Sequence, residues 1–179
     1  MIFGRILNTL TFPGIIVHEW AHKTMCDFFN IRVYKVSYLS LRGNINGYVM
    51  HDEPEKYYQT FWISIGPLFL NSLLAIVFTF IALNFYSDNL LIYSILFWIA
   101  FSIGFHAFPS NIDANNLLSY SKKCLRKWYN PFNLLHLLTF PLVFLIWFMN
   151  KLKCFGIDIV YAIFLIYITI EYINKILII

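Results

Sequence analysis

His18, Glu19 and His22 form the run His18-Glu19-Trp20-Ala21-His22, two imidazoles four residues apart with a carboxylate between them. On an α-helix that spacing puts both rings on one face, where their nitrogens can share a zinc ion, and Glu19 can take a proton from water bound to that ion. The run lies in a stretch, residues 6–29, that is otherwise apolar enough to enter a bilayer. An unpaired carboxylate at membrane depth costs about 2.5 kcal/mol or more, so these residues are expected to work on a metal and a proton there. The plainer alternative is three polar residues that cap or pack a helix.

A catalytic zinc takes three protein ligands and keeps a position open for water, so a third donor must come from elsewhere in the chain. Asp113 is the leading candidate, at the end of His106-Ala107-Phe108-Pro109-Ser110-Asn111-Ile112-Asp113. Pro109 should break a helix and let the chain turn the carboxylate inward, although Asp113 could instead cap the segment that follows it. His51 and His106 are competing donors. His106 could also hydrogen-bond a substrate or stabilise an oxyanion. Glu171 is a further rival for the third ligand, and one that requires both C-terminal segments to cross the membrane. Asn71 follows Gly66-Pro67 and places an amide near mid-membrane, where it either packs helices together or orients a substrate carbonyl. Cys26, Cys124 and Cys154 have no metal-ligand spacing, and an odd number of thiols makes no disulfide framework.

These residues need helices inside a membrane to position them. Of the 179 residues, 60% are hydrophobic, 20% aromatic and only 12% charged, a composition outside the range of soluble domains. The chain is therefore expected to be one all-α polytopic membrane domain, 1–179, with a core at 1–118 and additional helices at 130–179. Five apolar stretches, at about 2–29, 58–86, 90–108, 132–149 and 155–173, are each near the length of a crossing helix. The last two could instead form a hairpin that does not cross fully, because Pro141 interrupts one and Asp158 and Glu171 flank the other.

Between the first two stretches, Val33 to Tyr38 and Tyr48 to His51 flank Arg42-Gly43-Asn44-Ile45-Asn46-Gly47, the pattern of strand, turn and strand. This small β-hairpin could cover the site or pair its free edge with an extended peptide. Lys and Arg gather in the segments after the first and third stretches, which puts those segments in the cytoplasm and the N-terminus outside. Residues 2–17 take up about 24 Å at 1.5 Å per residue, so His18 is expected near the cytoplasmic face. The net charge of +4 forms no patch of the kind that binds nucleic acid.

Taken together, the HExxH run, Gly66-Pro67 with Asn71, and Asp113 after Pro109 resemble the site-2 protease family of intramembrane zinc metalloproteases, over about residues 13–118. In that family the two histidines and an aspartate bind zinc and the glutamate activates water. The resemblance implies these roles for His18, His22, Asp113 and Glu19, with Asn71 and His106 as weaker substrate or oxyanion contacts. The third motif departs from the family pattern: His106 stands for Asn, Ile112 for Leu and Ala114 for Gly, with one residue fewer between Pro109 and Asp113. Gly66-Pro67 and Asn71 are also one residue further apart than usual.

The expected function is hydrolysis of peptide bonds in or beside transmembrane segments of a membrane-protein or membrane-peptide substrate, with Zn2+ as cofactor, in a prokaryotic cell membrane. A non-catalytic protein that keeps the fold to bind zinc or a partner helix is the alternative.

Overall fold

The computed structural model describes residues 2–40, 47–126 and 134–177. Within them the chain is mostly helical, with seven α-helices and one two-stranded hairpin: α1 Ile2–Leu10, α2 Phe12–Phe28, β1 Val33–Ser37, β2 Tyr48–His51, α3 Tyr57–Leu83, α4 Leu90–Phe105, α5 Asn111–Leu125, α6 Leu134–Lys151 and α7 Ile157–Leu177. A turn of 3₁₀ helix, Leu152–Phe155, joins the last two. Three segments are long and apolar enough to cross a membrane, Tyr57–Leu83, Leu138–Phe155 and Ile157–Lys175; α4 is apolar but shorter.

The first apolar stretch is not one helix but two. Thr11 separates α1 from α2, and Pro13 supplies the reason. Without an N–H it cannot continue the ladder to Thr9, whereas at the first turn of a new helix that loss costs nothing. Side chains of α4 fasten the break: Ser102 Oγ donates to the Thr11 carbonyl (2.7 Å), the Gly14 N–H donates to Ser102 Oγ (2.8 Å), and Trp98 Nε1 donates to the Leu10 carbonyl (3.0 Å).

α2, α3 and α4 make the centre of the molecule. α2 and α4 run parallel, with Gly14 beside Ser102 and His18 beside His106. α3 runs against both, bringing Ile63 to His22 and Asn71 to Gly14. Gly66 permits the α2–α3 approach, since a Cβ there would stand 2.5 Å from Met25 Cγ.

The C-terminal helices pack into this centre. Ala75, Ile103 and Leu165 form one buried cluster between α3, α4 and α7. Tyr57, Ile65, Leu117, Leu118, Val143 and Ile146 form another between α3, α5 and α6. Where such helices face lipid and not water, apolar burial supplies little driving force, and close packing and shared polar contacts hold them together.

The strands pair antiparallel, Val36 opposite Val49 and Ser37 opposite Tyr48, with an irregularity between Val33 and Lys35. The connecting turn expected at 42–46 lies outside the described residues. α5 forms over the segment that Asp113 could have capped. Ser110 caps it, its Oγ accepting from the Asp113 N–H (3.2 Å), so Asp113 is the third residue of the helix and not its cap.

Candidate metal centre

α2 carries His18, Glu19 and His22, all buried. Each imidazole is held from behind by a backbone carbonyl: His18 Nδ1 donates to His106 O (2.7 Å) and His22 Nδ1 to Ile63 O (2.9 Å). A carbonyl only accepts, so both rings carry a hydrogen on Nδ1 and turn Nε2 inward. The two Nε2 atoms face each other at 3.2 Å, and the Asp113 carboxylate closes the group with Oδ2 3.2 Å from His22 Nε2. The three ligand atoms lie within 4.8 Å of one another. Lone pairs this close repel unless a positive charge stands between them, and a proton or a metal cation fits. Two imidazoles and a carboxylate are also a donor set that zinc accepts, with a coordination position to spare.

Asp113 is fixed from its own side by the helix cap. Its Oδ2 accepts from Ser110 Oγ (2.5 Å) and from the Ser110 N–H (3.1 Å). Burial alone would push the carboxyl up, but the His22 ring, the Ser110 hydrogen bond and His18 outweigh it and hold Asp113 below the usual carboxylate range. The carboxylate is thus ionised and ready to ligate.

The turn that delivers Asp113 is clamped in turn by the C-terminal helices. Asn150 Nδ2 donates to the Pro109 carbonyl (2.5 Å), and Lys153 Nζ donates to Pro109 O (3.0 Å) and Phe108 O (3.3 Å). Lys153 also stands 3.8 Å from Asp158. Read from the sequence, Asn150, Lys153 and Asp158 have no role in the site, and Asp158 is only a flank of the last apolar stretch. Charges beside or within an apolar helix are functional candidates by default, and that was the signal available.

A cavity of about 560 Å³ opens onto the cluster. His18, Glu19, His22 and Asp113 line it together with Tyr48, Val49 and His51 of β2, and Asn8, Lys153 and Asp158 are also on its wall. Gly47, just before β2, sits against Glu19: a Cβ there would be 2.6 Å from Glu19 Cγ.

The remaining candidates fall elsewhere. His106 lines the cavity, but its Nε2 is 2.8 Å from Thr11 Oγ1, which itself donates to the Leu7 carbonyl, so His106 donates there and belongs to the α1–α2 break. His51 lines the cavity too, with Nδ1 donating to Asp52 O (2.7 Å). Asn71 is fully buried behind the cluster, its Nδ2 directed at the carbonyls of His106 (3.2 Å), Ile103 (3.3 Å) and Gly14 (3.4 Å). It joins three helices and does not line the cavity. Glu171 pairs with Lys175 on the exposed side of α7 (2.7 Å), away from the cluster. Cys26 is buried and lies outside the ligand group.

No protein-family model matches the chain, and no curated protein or solved structure is significantly similar to it.

Proposed function

We propose that this chain is an intramembrane zinc metalloprotease of the site-2 type, which hydrolyses peptide bonds within or next to transmembrane segments. The observation that carries the reading is the cluster itself: two imidazoles locked with Nε2 inward, an ionised carboxylate beside them, and Glu19 next to them on the wall of one cavity among apolar helices. A zinc ion held by His18, His22 and Asp113 would supply the Lewis acid that polarises a substrate carbonyl and makes water acidic enough to react near neutral pH.

The chain's own residues do the rest. Glu19 accepts the proton that the attacking water gives up and returns it to the leaving amine as the C–N bond breaks. A helical peptide bond is shielded, so the substrate segment must unwind before it reaches this carboxylate. β2, which also lines the cavity, offers backbone groups along which an extended segment can lie, exposed and in register. The five apolar stretches cross a prokaryotic cell membrane in this reading, with the N-terminus outside and the cluster near the cytoplasmic face. α2 and α4 have 17 and 16 residues, about 25 Å each at 1.5 Å per residue, and cross where the surrounding helices and a locally thinned bilayer accommodate them.

The test is cleavage by the purified, zinc-loaded protein, reconstituted in vesicles, of a single-span peptide whose unwound segment is rich in Gly or Pro. Zinc-dependent cleavage that a chelator abolishes supports the reading. A protein that binds zinc stoichiometrically and cleaves no such peptide is a binding protein on a protease-like scaffold.

Gly47 provides a further expected outcome. In Gly47→Val the new side chain must displace either Glu19 or the strand. Misplacement of a reacting group by about 1 Å can cost roughly 100-fold in rate. A fall of that order in kcat, at unchanged zinc content, is expected in the vesicle assay.

A further inference from the structure

We propose that Pro67 is a positioning residue for His22: by withholding an N–H from α3 it frees the Ile63 carbonyl to take the His22 Nδ1–H, and so turns Nε2 toward the ligand position. The inference rests on reading His18, His22 and Asp113 as the zinc donors. In an unbroken α-helix the amide of residue 67 would bond the carbonyl of residue 63. Pro67 stands inside α3 and has no such amide. Ile63 is only 4% exposed, so no bulk water is at hand for the released carbonyl. The partner it has is His22, with Nδ1 at 2.9 Å.

Two neighbours support the assignment. Gly66 lets α2 approach α3 closely enough for that bond, because any side chain there would meet Met25. The other histidine is keyed to a backbone carbonyl as well, at the end of α4. α4 ends at His106, three residues before Pro109, and the His106 carbonyl accepts from His18 Nδ1 at 2.7 Å and from Asn71 Nδ2 at 3.2 Å. Each ligand histidine is therefore keyed to a carbonyl whose partner four residues on is withheld: residue 67 has no N–H, and the Ser110 N–H is taken by Asp113 Oδ2. A carbonyl has two lone pairs, but an intrahelical bond aligns it along the helix axis and swings it away from a ring at the side.

Two substitutions at position 67 separate the missing N–H from the shape of proline. Alanine restores the N–H. Lactic acid, introduced by nonsense suppression, has the alanine side chain with an ester oxygen in place of that N–H. Zinc affinity, measured by chelator competition, is expected to fall about 10–100-fold in Pro67→Ala, the usual cost of losing the hydrogen-bond partner behind a metal-binding histidine. The lactate variant should stay near the unmodified protein. In the metal-free state, at a pH high enough to leave the His22 ring neutral, ring ¹⁵N spectra should place its hydrogen on Nδ1 in the unmodified and lactate proteins and show mixed tautomers in Pro67→Ala. Equal weakening by both substitutions, or unchanged ring spectra in Pro67→Ala, would overturn the proposal. The expected ring spectra in a protein that binds no zinc would instead remove the zinc reading and leave the carbonyl switch standing.

Discussion

Glu19→Gln is expected to hold as much zinc as the unmodified protein and to cleave about 10²–10⁴-fold more slowly, the usual contribution of a positioned general base. The amide keeps the size and shape of the carboxylate but cannot take a proton from water. Glu19 is also not one of the three converging ligand residues, so the substitution leaves that group intact. Glu19 is 9% exposed, and removing a buried charge should not unfold the helix that carries it. Single-turnover cleavage and zinc content measured on one preparation separate the two effects. Cleavage that survives in Glu19→Gln would take the base from Glu19 and give it to another group on the cavity wall.

His22→Ala is expected to lose both zinc and cleavage. His22 is the middle of the cluster, with Nε2 3.2 Å from both His18 Nε2 and Asp113 Oδ2. Losing a ligand should weaken zinc binding by more than the roughly 10–100-fold that follows loss of a partner behind one. The substitution also leaves the buried Ile63 carbonyl without its partner, at a cost of about 1–3 kcal/mol. The metal-free variant should therefore unfold at a lower temperature than the metal-free unmodified protein. Chelator competition and thermal unfolding check the two parts separately, and full zinc retention would show that the two histidines do not share an ion.

What could be read from the sequence was local. Spacing of His18 and His22 required one helical face, and Val33 to Ser37 with Tyr48 to His51 alternated as a hairpin does. The Pro109 break before Asp113 was legible as a turn, and Ser110 to Asp113 carries the spacing of a capping box. What was missed depends on distant partners. The break at Thr11 is fastened by Ser102 and Trp98, residues about ninety positions away. Asn71 packs helices together, one of the two readings its sequence allowed, but the three backbone carbonyls from two other helices that its amide meets are set by the fold. Lys153 and Asn150 carry no spacing signal, and only α6 and the following turn bring them onto the Pro109 carbonyl. Pro67 reads as a helix kink in one dimension. Only the approach of α2 turns its missing N–H into a hydrogen bond for His22.

The most direct test of a three-ligand metal centre is zinc per chain, by elemental analysis, in detergent-purified unmodified protein and in Asp113→Ala. Near one zinc in the unmodified protein and little in the variant is expected, because Asp113 is the one carboxylate that the fold brings to the two histidines among the described residues. Full zinc in Asp113→Ala would contradict the assignment and move the third ligand to another side chain on the cavity wall, and none in either protein would contradict the metal centre itself.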